Sequence, residues 1–197
     1  MDLYSIALFV HMLGFITLFG ALILLQPVGA RLRAMSTWED ARLLLSLMQP
    51  TRGMFIASSI FLLASGLYMT SDRWGFATPW VATALAGLVL FIVLGAAVVG
   101  RKLRAIWRVT GGSEGTISEP MRSMISHPAL WTSIFGMNFG ALAFVWLMTT
   151  KPGWVGSIGV TVVMIAIGCA IGAAVARQRT SQKPSSSAET ERFSRAG

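Results

Sequence analysis

A chain of 197 residues that is 54% hydrophobic and only 12% charged, with a mean hydropathy of +0.67, lies outside the composition of ordinary soluble domains. Its formal net charge of +8 is compatible with a nucleic-acid binder or a membrane protein, and the positions of the basic residues decide between them. The single cysteine, Cys169, excludes an internal disulfide and any paired-cysteine metal or redox motif.

Charge-free apolar runs long enough to cross roughly 30 Å of hydrocarbon fall at about 3–25, 53–70, 79–100, 128–150 and 154–176. A charge at the bilayer centre costs at least about 2.5 kcal/mol, so lipid exposure selects for this segregation, whereas a soluble helix would carry a charged face. The first run lacks a basic leader, is too long for a signal-peptide core, and is followed by Arg31 and Arg33, so it reads as a retained anchor. Ala7, Gly14 and Ala21 form a small-residue stripe along it.

Between the first two runs, Thr37-Trp38-Glu39-Asp40 has the form of an N-cap with an acidic first turn, leading into Ala41-Arg42-Leu43-Leu44-Leu45 and stopping near Pro50. This predicts a short cytoplasmic or interfacial helix. Thr78 and Pro79 open the third run, with Trp80 at interfacial depth. Beyond it, Arg101, Arg104 and Arg108 share one helical face and Leu103, Ile106 and Trp107 the other, predicting a helix that continues among lipid headgroups. Gly136-x-x-x-Gly140 in the fourth run and Gly168-x-x-x-Gly172 in the fifth are close-approach motifs, read as packing within one bundle, with a homo-oligomer as the alternative.

Placing the N-terminus outside puts Arg31, Arg33, Arg42 and Arg52, then Arg101, Lys102, Arg104, Arg108 and Arg122, then the five basic residues from Arg177 onward, in the cytoplasm. Only Arg73 and Lys151 of the sixteen basic residues remain outside, as the positive-inside rule requires. The expected architecture is therefore all-α: a polytopic bundle of five transmembrane helices over 1–177, four forming a core plus one. Its N-terminus lies outside, and a disordered cytoplasmic tail covers 178–197. The basic excess answers to anionic headgroups, and nucleic acid is not an expected partner; the lipid bilayer and other membrane subunits are.

Chemistry-bearing residues within the runs are few. His11, about nine residues into the first helix and so about 12 Å from its outer end, is the one ionisable group deep in a span. An imidazole there can ligate haem iron or copper, relay a proton, or hydrogen-bond a neighbouring helix; packing is the leading reading. Gly14, one turn further on the same face, leaves room for a flat porphyrin or for another helix. His127 precedes the fourth run at the opposite face, about 15 Å or more away at helical rise, which disfavours a bis-histidine haem. Met121, Met124 and His127 have a spacing that can hold Cu(I), a weak signal. Asn138 is most simply an interhelical hydrogen bond. Walker, HExxH and GxGxxG motifs and paired carboxylates are missing, so no catalytic constellation is complete.

Phe9-x-His11-x-x-Gly14 with Gly20 beyond, together with Thr78-Pro79-Trp80, resembles an uncharacterised bacterial family of predicted integral membrane proteins. That family is distantly similar to the CopD copper-resistance membrane domain and to the HemJ protoporphyrinogen oxidase group. The resemblance spans roughly residues 1–150. It implies a four-helix core in the bacterial cytoplasmic (inner) membrane, with His11 as the residue to touch haem, porphyrin or metal, and His11 is the only position carried over. HemJ-type enzymes also use an intramembrane lysine on a later helix. No span here contains one, and the departure argues against that oxidase activity. Three functions remain, in this order: a non-catalytic accessory or assembly subunit, a haem b or porphyrin-binding redox protein using His11, and a small-solute or copper permease with a path near Ser58 and Asn138.

Overall fold

The structure, a computed structural model, describes residues 2–111 and 115–177; the tail expected over 178–197 lies outside the described residues. Asp2 caps the first helix, α1 (Leu3–Ala34), accepting from the Ser5 N–H at 3.3 Å and from the Ser5 hydroxyl. That hydroxyl holds the Asp2 carboxyl below the ordinary carboxylate range, because bonds to the charged form favour it. α1 runs about two turns past the expected span, through Pro27, and its last turn carries Arg31 and Arg33.

The short helix expected after it is α2 (Trp38–Leu47), where the Thr37 hydroxyl accepts the Asp40 N–H at 3.4 Å behind an acidic first turn. α3 (Gln49–Met69) has a proline in its first turn, where the missing N–H costs nothing. It passes into a π-helical turn, Thr70–Trp74, which Gly75 ends at φ 77° by donating to the Thr70 carbonyl at 2.7 Å. α4 (Pro79–Leu94), a second π-helical turn (Gly95–Val99) and α5 (Gly100–Gly111) form one continuous rod. α6 (Glu119–Ile125), α7 (Pro128–Thr150) and α8 (Trp154–Arg177) complete the described chain. Lys151, in the left-handed region at φ 48°, and Pro152 make the tight α7–α8 reversal.

Among the described residues five helical segments are long and apolar enough to cross a membrane: Leu3–Ala34, Trp38–Trp74, Pro79–Thr110, Glu119–Thr150 and Trp154–Arg177. Their outward faces are apolar, with Val155 87% and Phe9 68% exposed, surface that only lipid would cover.

Within the bundle, close backbone approach sets the pairings. A Cβ on Gly168 would lie 2.5 Å from the Phe135 carbonyl oxygen, and one on Gly172 2.5 Å from that of Trp131, so α8 lies along α7 backbone to backbone. Gly14 meets Phe61 and Leu62 at 3.2 Å in the same sense, joining α1 to α3. α4 leans on α7 through Phe91 and Phe144, whose ring centroids are 5.1 Å apart. α3 and α4 share few contacts, so a seam remains between them.

At one end, Arg73 pairs with Asp2 at 3.5 Å and lies over Tyr4, while Lys151 lies over Trp74. At the other, Arg33 stacks on Trp131 at 3.5 Å and donates to the Val175 carbonyl at 3.3 Å, tying the ends of α1 and α8 together. There α5 differs from the sequence expectation. Its apolar face meets protein rather than lipid: Ile106 is buried against Leu32, Trp38, Leu45, Met121 and Ile125, in a second core built by α2, α5 and α6. Backbone bonds from Trp38 to Gly115 at 3.0 Å and from Ile117 to Ser36 at 2.9 Å stitch this cap together.

Gly168→Leu should lower the unfolding midpoint in detergent by the equivalent of about 3 kcal/mol or more, since overpacking against backbone has no side chain to yield. Gly159→Leu on the same helix, with nothing within 4 Å, should leave the midpoint unchanged or raise it, leucine being the better helix former. Equal losses from the two variants would contradict the α7–α8 contact.

Candidate functional site

His11 sits on the inward face of α1 and is buried, with 8% of its surface exposed. Its Nδ1 lies 3.1 Å from the Ser65 hydroxyl of α3. Ser65 donates its one hydroxyl proton to the Phe61 carbonyl a turn back. With that proton on the Phe61 carbonyl, the serine oxygen accepts from the imidazole in its Nδ1-protonated tautomer. Gly66 completes the seat: a Cβ there would be 3.3 Å from His11 Cε1, so its absence lets the ring lie against the α3 backbone.

His11 borders a cavity of about 400 Å³ enclosed by α1, α3, α4 and α7, a size ordinary for cofactor and ligand sites. Phe15, Leu18, Leu88 and Phe144 form its deep wall, and Trp74, Trp80 and Lys151 its mouth. The mouth is ordered, with Trp74 and Trp80 edge to face at 5.2 Å and the Trp74 indole donating to the Tyr4 hydroxyl at 3.3 Å. Met12, Met69 and Met148 bring three thioethers to the same cavity from three helices.

The other expected residues fall elsewhere. Gly14 is buried, and the clearance beside it is filled by Phe61 and Leu62 of α3, so its room serves helix packing. His127 caps α7, its Nδ1 accepting the Ala129 N–H at 3.1 Å. Met121 is fully buried in the apolar α2–α5–α6 core and Met124 packs against that core. The three are thus committed to a cap and a core. Among the described residues, no group of three or more His, Cys, Asp and Glu side chains could hold a metal. Asn138 donates to the Ile134 carbonyl at 2.8 Å within its own helix and only distantly, at 3.5 Å, to Leu22 of α1.

The sequence alone does not mark Ser65, Gly66, Met69 or Met148 as site residues, and it marks Lys151 only by its charge. Nothing in one sequence pairs position 11 with position 65; the only signal was that a polar Ser and a Gly stand side by side in a span.

No family model, curated protein or solved structure matches the chain.

Ser65→Ala should lower stability only slightly, by about 0.6 kcal/mol and no more than about 1.7, the range measured for interhelical hydrogen bonds in a membrane. Reversible unfolding in mixed micelles reads this directly. A loss above about 3 kcal/mol would mean that the serine does more than hold one imidazole.

Proposed function

We propose that this chain is a non-catalytic subunit of the bacterial cytoplasmic membrane whose cavity beside His11 would hold haem b or a related porphyrin, with His11 as the residue that would bind it. The observation that carries this reading is the held imidazole: Nδ1 is engaged by Ser65, and the His11 side chain borders a 400 Å³ largely apolar cavity. Metal-ligating histidines characteristically donate their second nitrogen in this way, which fixes the ring and raises its basicity.

The residues present fit such a group. Phe15, Phe144, Trp74 and Trp80 supply apolar and aromatic walls, the cavity methionines are soft donors suited to a sixth position, and Lys151 at the mouth suits a propionate. Bound there, haem would supply one-electron chemistry, its potential raised by a His/Met ligand pair. The chain's part is to orient the imidazole, exclude water with Trp74 and Trp80, and neutralise carboxylates at the membrane surface. Among the described residues no Asp or Glu lines the His11 cavity, which suits an accessory or assembly role better than an enzyme.

The orientation we propose places this mouth outside the cell. Its support is the charge segregation: Arg73 and Lys151 stand at the cavity end, and Arg31, Arg33, Arg42, Arg52 and the α5 arginines at the other. The permease reading has less support, because Ser58 donates to a carbonyl of its own helix and Asn138 to carbonyls of α7 and, at 3.5 Å, α1.

Protein purified in mild detergent from haem-replete cells should show a stoichiometric Soret band that shifts on dithionite reduction. His11→Ala should lose it while keeping its helix content. A colourless wild type without porphyrin fluorescence, or a band unchanged in His11→Ala, would overturn the assignment.

A further inference from the structure

The second cavity lies at the opposite end of the bundle, and its origin is the seam between α3 and the α4–α5 rod. α3 is held by α1 and α4 by α7, so the two diverge and enclose about 940 Å³. The space reaches inward to Leu22, Trp131 and Met137, residues with 1–3% exposure, and so enters the bundle. Its outer walls are Phe55, Ile56 and Ile60 on one side and Ile92, Ala96 and Val99 on the other. The second π-helical turn, Gly95–Val99, forms part of the latter wall, where only small side chains at Gly95 and Ala96 face the opening.

The chemistry changes along the cleft. Arg52 from α3 and Arg104 and Arg108 from α5 border its polar end, and among the described residues no Asp or Glu lines it. All three arginines are exposed, and Arg104 uses only Nε internally, donating to the Gly100 carbonyl at 3.1 Å. Three guanidinium groups over an apolar slot that enters the bundle are complementary to one kind of membrane molecule.

We infer that the α3–α5 cleft is a specific site for an anionic phospholipid, its phosphate held by Arg52, Arg104 and Arg108 and one acyl chain inserted between α3 and the second π-helical turn. Basic pockets between membrane helices bind acidic headgroups in this manner, each arginine being worth about 1 kcal/mol. This corresponds to about fivefold in affinity per residue. A chain in the slot supplies the contacts that α3 and α4 do not make with each other. The site is independent of His11 and of any porphyrin.

Native mass spectrometry of the full chain, delipidated in detergent and titrated with phosphatidylglycerol or with phosphatidylcholine of the same acyl chains, tests this. One phosphatidylglycerol should be retained at least tenfold more tightly than phosphatidylcholine. Arg52→Gln/Arg104→Gln/Arg108→Gln should abolish the preference without lowering the lipid-free unfolding midpoint. Ala96→Trp, which plugs the slot and leaves the arginines in place, should lose the tight single adduct. Equal binding of the two lipids, a ladder of equivalent weak adducts, or a preference surviving in the arginine variant would each overturn the proposal. So would a tight adduct surviving in Ala96→Trp.

Discussion

Between helices surrounded by lipid the hydrophobic effect offers no driving force, so association must come from backbones that approach closely and from the few hydrogen bonds that cross the interface. The rest of this structure follows from where that approach is possible. Gly168 and Gly172 bring α8 onto the α7 carbonyls, and Gly14 brings α1 onto α3. α4 has no equivalent contact with α3, and leans on α7 through phenylalanine rings. The bundle is thus two tight helix pairs joined by looser packing, and both cavities open where the packing is loose.

His11 belongs to one of the tight pairs and faces one of the loose regions. A polar group in a span is costly unless bonded, and the Ser65 hydroxyl satisfies one nitrogen across the α1–α3 contact. Were the imidazole only a packing device, one bond and a closed surround would suffice. Instead, four helices leave a cavity beside the ring, roofed by Trp74, Trp80 and Tyr4 and edged by Lys151. The opposite cavity has the inverse design, with no ionisable group in its depth and arginines at its rim. One space suits a flat group held by the imidazole, the other a lipid at the opposite end of the bundle.

Much of the architecture was legible in the sequence because the bilayer imposes a simple rule. Charge-free runs had to be spans, and α7 begins at Pro128 and ends at Thr150, the limits that charge and proline mark. The Thr37 cap and acidic turn of α2 were visible as local chemistry. The two π-helical turns were not, since nothing in Gly95-Ala96-Ala97-Val98-Val99 distinguishes a π-helical turn from ordinary helix. The fate of α5 was misread for a related reason: an amphipathic face shows that something apolar covers Ile106, and only the fold reveals that α2 and α6 do so in place of lipid. At the site, His11 stood out as an ionisable residue in a span, but its partner lies 54 positions away, and a single sequence contains no register between α1 and α3.

The central claim is that Ser65 fixes the imidazole with its proton on Nδ1 and its lone pair on Nε2. Long-range 15N–1H correlation spectra of 15N-histidine-labelled apoprotein in detergent report that tautomer directly, with His127→Asn separating the two histidines. The account predicts that His11 is neutral and protonated at Nδ1, and that this preference weakens in Ser65→Ala. A His11 ring protonated at Nε2, or one that exchanges freely between tautomers in the unmodified chain, would contradict it.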